Sequence, residues 1–413
     1  MNPAGPDAWL LAPTDDVATA VRALAKGTRV EARCGDVVQD VVLVDAIPAG
    51  HKLALRPLAP GLRIRKYGEY IGRTTGAIDA GAWVHEHNLE TSARRSPDLE
   101  RAWRDAASPR DLRTLGRARC ALGESPVWDE RDGRLYFVDL RDTPAIHALD
   151  VASGDEARWP MPEDIGCIVP CTDGTLVAGL RSGFATFDRA HGTLDYFFDP
   201  EPDKHGNRLN DGKCDARGRL WCGSMNPESA TAEGSLYVVE PRGCRRVLDG
   251  WLTPNGIAWS LDGATMYVAD TRRGVIDAFA FDRDDGSLDA RRVFADLAAL
   301  PGGPDGACVD RDGFLWSAIF DGGCLLRLDP SGRIDRVLRL PVSKPTSCAF
   351  GGSGYRTLFV TTASRGLSAS RLASEPAAGH VLALDVGVAG VAADAFAGTS
   401  RDALCRDDRD VRL

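Results

Sequence analysis

Short apolar runs recur behind glycine residues through most of the chain. Six of them begin at Gly133, Gly174, Gly218, Gly263, Gly313 and Gly354, at intervals of 41, 44, 45, 50 and 41 residues. Most are followed by a second run that ends in an acidic residue, such as IHALD, FATFD and SLYVVE. A turn, a strand, a short loop and another strand at this period are typical of propeller blades. The pattern predicts an all-β chain with a six-bladed β-propeller, and the apolar stretch at 387–398 predicts its closing strand.

The first ninety residues have a different pattern. Short apolar runs such as TRVEARC, DVVLV and KLALR alternate with glycine turns, which predicts a small β-rich domain over 1–90. A polar, arginine-rich segment at 91–114 with Ser-Pro steps predicts a linker with a short helix. A helix packed on one of the two domains is an equal alternative. The propeller is then expected over 115–413.

Composition excludes several classes of protein. The 413 residues include 50 Lys+Arg and 59 Asp+Glu, a net charge of −9, which argues against a nucleic-acid-binding surface. No run approaches the length of a membrane span, which takes about 18 apolar residues. The start lacks the pattern of a secretory signal, and the 11 cysteines include no CxxC pair. We therefore expect a cytoplasmic protein with free thiols and no contact with membranes.

The repeat places polar residues at one phase. Counting back eight residues from each turn glycine, or nine in the first repeat, reaches Glu124, Gly166, Asn210, Asn255, Asp305 and Thr346. These positions begin the innermost strands, so their side chains should converge at one end of the central channel. Two carboxylates and two amides facing one another suit a hard divalent cation. Asn-Gly and Asp-Gly pairs are also ordinary turn formers, but four polar residues at one phase favour the metal site.

Arg208 and Asn210 alternate along the chain, so an extended strand places both on one face. An arginine beside a metal could hold an anionic or hydroxyl-rich ligand. Neutralisation of Asp211 or Glu228 by the same arginine is an equal alternative.

Four motifs then resemble the regucalcin/gluconolactonase family over about 115–390. They are LGESPVWD, NRLNDGKCDARGRLWCGSM, TPNGIAWSLDGATMYVAD and PDGACVDRDGFLWSA. The resemblance implies hydrolysis of aldonolactones, with Glu124, Asn255 and Asp305 as metal ligands and with Arg208, Asn210 and Glu228 as substrate contacts. Ser125 stands where the family usually has Gly or Ala, a departure that should not disturb Glu124.

The chemistry of such a site is that of metal-assisted hydrolysis. A cation there would polarise the lactone carbonyl and make a water molecule more acidic, and Asp305 is the candidate catalytic base. Oxygen ligands leave Ca²⁺, Mg²⁺, Mn²⁺, Fe²⁺ and Zn²⁺ open. The chain has no GxSxG or HExxH motif that would support other esterase chemistry.

The segment at 1–90 resembles the SAF-type (β-clip) small domain of altronate/galactarate dehydratases, in IPAGHKLAL, KYGEYIG and AGAWVHEHN. His85 and His87 are expected on one strand face, where they form a second candidate metal or sugar-acid site, and His51 is a weaker candidate. Exposed strand-end histidines are an equal alternative. The resemblance implies a dehydratase large subunit as partner. It leaves open a non-catalytic propeller that binds metal or sugar beside a working dehydratase small subunit.

Overall fold

The computed structural model describes residues 6–35, 37–91, 97–109, 111–241 and 243–398. Strands dominate it throughout, so the prediction of an all-β chain is confirmed. The helices are Pro97–Arg104 and Ala369–Ser374, with a short 3₁₀ turn at Ser353–Tyr355. Neither α-helix has the length and apolarity that a membrane crossing requires, within the described residues.

The N-terminal segment forms two sheets. The larger has six strands in the spatial order Val37–Val42, Arg29–Cys34, Ala8–Trp9, Val17–Ala20, Lys52–Ala54 and Trp83–Val84. The smaller has Arg63–Lys66, Glu69–Thr74 and Leu89–Thr91. Alternation decides which face is buried: Val30 and Ala32 are fully buried, whereas Arg29 is exposed.

The rest of the chain folds into six consecutive four-stranded antiparallel sheets, numbered here 1 to 6. Their strands, from first to fourth, are these: sheet 1, Gly123–Asp129, Arg134–Asp139, Ala145–Asp150 and Glu156–Pro160; sheet 2, Ile165–Pro170, Leu176–Leu180, Gly183–Asp188 and Thr193–Phe198; sheet 3, Arg208–Cys214, Leu220–Met225, Gly234–Glu240 and Gly243–Trp251; sheet 4, Pro254–Trp259, Thr265–Asp270, Val275–Phe281 and Leu288–Asp296; sheet 5, Gly303–Val309, Leu315–Phe320, Cys324–Leu328 and Ile334–Arg339; sheet 6, Pro345–Gly351, Thr357–Thr362, Val381–Asp385 and Arg113–Leu115.

The sheets close into a ring around a central channel. The first strands of consecutive sheets contact each other, and the first strand of sheet 6 contacts that of sheet 1. Burial falls outward, because Ile165–Pro170 is buried throughout while the fourth strand of the same sheet, Thr193–Phe198, is largely exposed. All six turn glycines of the repeat have left-handed φ values between +64° and +92°, which glycine adopts most readily.

The prediction that 387–398 supplies the closing strand is wrong. The fourth strand of sheet 6 is Arg113–Leu115, which precedes sheet 1 and pairs with Val381–Asp385. Joining the two ends of the chain in one sheet closes the ring with hydrogen bonds. The segment at 387–398 makes only isolated bridges, from Gly390 to Asp310 of sheet 5 and from Phe396 to Cys171 of sheet 2. It therefore crosses the end of the channel.

The channel contains a cavity of about 570 Å³. Ser125, Asp211 and Lys213 line it within the ring, and the hairpin residues Asp262 and Gly263 line its far end together with 391–394. The crossing segment thus lies opposite the end where the first strands begin.

The N-terminal domain packs on the ring. Its apolar cluster around Leu58, Leu62 and Ile64 includes Ala230 and Leu252 of the ring.

Candidate functional site

The six residues of the predicted phase all occupy the second or third position of a first strand. Consecutive first strands run side by side and in the same sense around the channel, so these residues share one end of it. Glu124 belongs to sheet 1, Asn210 to sheet 3, Asn255 to sheet 4 and Asp305 to sheet 5. We call this set, with Gly166 of sheet 2 and Thr346 of sheet 6, the inner ring.

The three predicted metal ligands lie in a poorly solvated setting. Asp305 and Asn255 are buried, and Glu124 is half-buried. Burial raises the pKa of Glu124 from 4.5 to about 8, with the nearby Asp211 adding to the rise and Arg208 opposing it. Burial also raises the pKa of Asp305 well above its usual range, reinforced by Glu124 and Asp211. Two carboxylates that repel each other in low dielectric need a cation or protons.

One oxygen in this set is unpaired. Asp305 Oδ1 is buried and has no hydrogen-bond partner. Asn255 Oδ1 accepts 2.8 Å from Asn210 Nδ2, and Asn255 Nδ2 donates 2.8 Å to Thr271 Oγ1, so its amide is held in one orientation. No three His, Cys, Asp or Glu side chains of the described residues form a group that could hold a metal ion. Two carboxylates and one amide, with an orphaned oxygen, nevertheless fit a hard divalent cation.

Arg208 and Asn210 lie beside this set, on the same strand. Arg208 Nη1 donates 2.6 Å to Asn210 Oδ1 and 2.9 Å to the Leu209 carbonyl. Among the described residues it forms no ion pair with Asp211 or Glu228. Burial lowers the pKa of Arg208 to about 10, opposed by Asp164. The arginine is thus held beside the three predicted ligands, with its Nε lacking a hydrogen-bond partner.

Glu228 lies farther out. It sits in the loop between the second and third strands of sheet 3, with its side chain 83% exposed and 3.8 Å from Arg141 Nη2. This position is at the rim rather than in the buried set. Its role as a substrate contact remains a prediction.

Sequence reasoning found Arg208 but missed Asp164 and Lys344, the two other charged residues at the equivalent place in the repeat. The residues two positions before the inner ring are Leu122, Asp164, Arg208, Thr253, Gly303 and Lys344. Asp164 binds Arg181 Nη2 at 2.6 Å, and at the equivalent place in sheet 6 Lys344 Nζ lies 3.2 Å from Asp321 Oδ1. The sequence contained the necessary information, because Asp164 and Lys344 stand at the same position of the repeat as Arg208. We call this set the outer ring.

Ser125, after Glu124, has φ +48°, a conformation that favours glycine. Its hydroxyl donates 3.2 Å to the Ile168 carbonyl and accepts 2.9 Å from the Ile168 amide, which ties sheet 1 to sheet 2. These bonds offset the backbone strain, so the serine is accommodated beside Glu124.

Residues 122–364 match the family described as the SMP-30/gluconolactonase/LRE-like region, which is more than half of the chain. A 6-deoxy-6-sulfogluconolactonase from Pseudomonas putida is 37% identical over 290 residues, covering 70% of this chain and 99% of the relative. Regucalcin from Gallus gallus is 35% identical, covering 70% and 98%. The chain belongs to this family. A solved calcium-binding regucalcin from Agrobacterium tumefaciens shares 28% identity at a TM-score of 0.65, over 68% of this chain and 97% of that one.

The SMP-30/gluconolactonase/LRE-like match does not include the N-terminal domain. Residues 7–92 match the altronate/galactarate dehydratase SAF domain. Since the two curated relatives are matched over nearly their whole length by 70% of this chain, the remaining 30% has no counterpart in them.

The histidines of the N-terminal domain are arranged differently from the expectation. His85 and His87 lie in a turn, not on a strand face, because the strand Trp83–Val84 ends before them. The His85 ring instead lies 5.1 Å from the His51 ring, and Trp83 Nε1 donates 3.3 Å to His51 Nδ1. His87 is exposed and packs beside Trp83 at 5.6 Å. The structure therefore pairs His85 with His51, and a metal or sugar-acid site here remains a prediction.

Proposed function

We propose that this protein is a carboxylic ester hydrolase that opens a sugar lactone to its sugar acid with one divalent metal ion, on a six-bladed propeller. The observation that carries the proposal is the meeting of Glu124, Asn255 and Asp305 at one end of the channel, with Asp305 Oδ1 buried and unpaired. Membership of the family supports a lactone as the substrate class, and the sulfogluconolactonase relative supports an aldonolactone. The calcium-binding relative supports Ca²⁺ as the first metal to test.

A divalent cation at this site, when bound, supplies a Lewis acid for the lactone carbonyl. Arg208, held by Asn210 Oδ1 and the Leu209 carbonyl, orients hydroxyl groups of the sugar with its remaining N–H groups. Asp305 would accept, on a carboxylate oxygen that the cation leaves free, the proton that water loses as it adds to the carbonyl carbon. The ring C–O bond would then break and the ring oxygen would take up that proton from Asp305, giving a hydroxyl; the new carboxylic acid releases one proton to solvent and becomes a carboxylate.

The test is a lactone panel with purified protein. Arabinono-, xylono-, galactono- and gluconolactone are followed with a pH indicator near neutral pH, against the spontaneous rate, after EDTA treatment and after return of each of the five candidate metals. We expect turnover that EDTA abolishes and one metal restores. Asp305→Ala should lose activity, whereas Asp195→Ala, on the exposed fourth strand of sheet 2, should keep it. Activity retained in Asp305→Ala would contradict the role given to this residue.

The N-terminal domain supports a further part of this proposal. Lactone opening yields a sugar acid, and sugar-acid dehydratases consume one, so a dehydratase large subunit is the partner that the SAF match favours. Co-purification of such a chain, with loss of water from a sugar acid, would support this. Metal binding without lactone opening would instead favour a non-catalytic propeller attached to a working dehydratase small subunit.

A further inference from the structure

The N-terminal domain inserts one arginine into the ring. Arg63 is only 2% exposed, and its Nη1 donates to three carbonyls of one loop, Ala298 at 3.4 Å, Leu300 at 3.2 Å and Gly302 at 2.8 Å. Its guanidinium carbon lies 3.9 Å from the centre of the Tyr70 ring. A single donor group thus fixes the path of this loop.

The loop leads directly into the strand that carries Asp305. That strand begins at Gly303, which is the outer-ring position of sheet 5. A Cβ at Gly303 would lie 3.2 Å from Arg63 Nη2. The guanidinium of the N-terminal domain therefore lies against the outer-ring position that has no side chain of its own, where sheet 3 has Arg208 and sheet 6 has Lys344.

The same arginine also reaches the neighbouring sheet. Its backbone N–H donates 3.3 Å to the carbonyl of Arg272, the residue after Thr271. Thr271 in turn accepts the hydrogen bond that orients the Asn255 amide. Arg63 is thus in contact with the segments that hold two of the three proposed ligands.

Among the described residues no carboxylate pairs with Arg63, so three carbonyls and the Tyr70 ring alone offset the burial of its charge. Burial lowers the pKa of Arg63, and its Nε and Nη2 have no hydrogen-bond partner. A buried cation without a carboxylate costs folding free energy. The interface has a less demanding contact elsewhere, since Arg73 Nη2 pairs with Asp296 Oδ1 at 2.7 Å at the exposed edge of sheet 4.

We propose that Arg63 is a positioning residue for Asp305 and Asn255, and that the N-terminal domain thereby completes the metal end of the ring within the same chain. The inference deepens the proposed function and rests on it for its catalytic consequence. The relatives matched over 98% and 99% of their length have no counterpart of this domain, so the dependence would be particular to this chain.

The test compares Arg63→Met and Arg63→Lys with Arg73→Ala, a second variant of the same interface that removes the ion pair with Asp296 on the fourth strand of sheet 4. Hydrogen–deuterium exchange in metal-free protein measures the protection of the backbone amides of 298–309. Calorimetric titration with Ca²⁺ alone measures the affinity of the site, and steady-state turnover gives kcat and KM. For Arg63→Met we expect faster exchange over 298–309 and about tenfold weaker Ca²⁺ binding, equal to about 1.4 kcal/mol. Arg63→Lys keeps a cation over Tyr70 but lacks the planar fork, and we expect an intermediate loss.

The proposal would be overturned if Arg63→Met left both the exchange of 298–309 and the Ca²⁺ affinity unchanged, even if the melting temperature of the variant fell. Equal losses in Arg73→Ala would also overturn it, because the effect would then belong to domain docking in general. If Arg63→Met does not fold, Arg63→Lys decides by the same readouts. Wild-type protein that opens no lactone, but whose exchange over 298–309 depends on Arg63, would refute the proposed function and leave the positioning role standing.

Discussion

Removing one carboxylate from the inner ring should stabilise the metal-free protein. Glu124→Gln keeps the size of the side chain and removes the charge that faces Asp305 and Asp211. In the folded protein the pKa of Glu124 is raised from 4.5 to about 8. A group with a raised pKa contributes stability that is fully present below pH 4.5 and is lost as the pH rises through about 8.

The expected gain in the free energy of unfolding follows from the difference between the two pKa values of Glu124, 4.5 and about 8. At pH 7 the folded protein keeps Glu124 largely protonated, whereas the unfolded chain ionises it; each pH unit above 4.5 is worth about 1.4 kcal/mol, so the raised pKa costs up to about 3.5 kcal/mol at pH 7. Because the side chain is half-buried and solvent screens part of the repulsion, we expect Glu124→Gln to gain about 1–3 kcal/mol without metal. The gain should vanish on acidification toward pH 4.5.

The assay is thermal and urea unfolding in EDTA across this pH range, with Glu240→Gln, an exposed carboxylate at the end of the third strand of sheet 3, as the matched control. Adding Ca²⁺ should reverse the order of stability, since a ligand that binds only the folded state stabilises by about 2.7 kcal/mol at a hundred times its Kd. A Glu124→Gln protein that is less stable than wild type in EDTA at neutral pH would refute the reasoning. So would an equal gain in Glu240→Gln.

Two further predictions concern residues other than the three proposed metal ligands. Lys344→Met should raise KM for the lactone several-fold with little change in kcat, because Lys344 occupies in sheet 6 the outer-ring position that Arg208 occupies in sheet 3. An unchanged KM in steady-state assays would show that Lys344 does not contact the substrate. Phe396→Ala should lower the free energy of unfolding by about 3–5 kcal/mol, since this side chain is 2% exposed beside Cys171 and Leu220. Urea unfolding indistinguishable from wild type would show that the crossing segment does not depend on this anchor.

The repeat made the site end of the ring predictable. A hairpin that turns through a left-handed position needs glycine there, so Gly133 and its five equivalents had to recur at one phase. Counting from them locates Glu124, Asn210, Asn255 and Asp305 without knowledge of any contact. Counting two residues farther back from the same glycines locates Asp164 and Lys344 as well. These two residues were therefore predictable from the repeat.

Other features depend on contacts that no local pattern announces. Arg113–Leu115 is three residues long and mostly exposed, so nothing in its composition marks it as a strand that pairs with residues near 382. The apolar stretch at 387–398 resembles a strand, but its alanines and glycines offer little surface to bury, and only Phe396 is a large anchor. Arg63 stands in RIRK, where alternation describes a strand and gives no sign of a loop some 235 residues away.

The inner ring also explains why repeats that share a turn differ at the site. A Cβ at Gly166 would lie 2.4 Å from the Leu209 carbonyl, so sheet 2 must have glycine there for sheet 3 to approach. Thr346 donates 2.5 Å to the Gly123 carbonyl and joins sheet 6 to sheet 1. Two of the six positions therefore hold neighbouring sheets together, and three others, Glu124, Asn255 and Asp305, carry the proposed oxygen ligands. Six carboxylates at these positions would repel one another in a poorly solvated setting, so the repeat can place charged side chains at only some of the six.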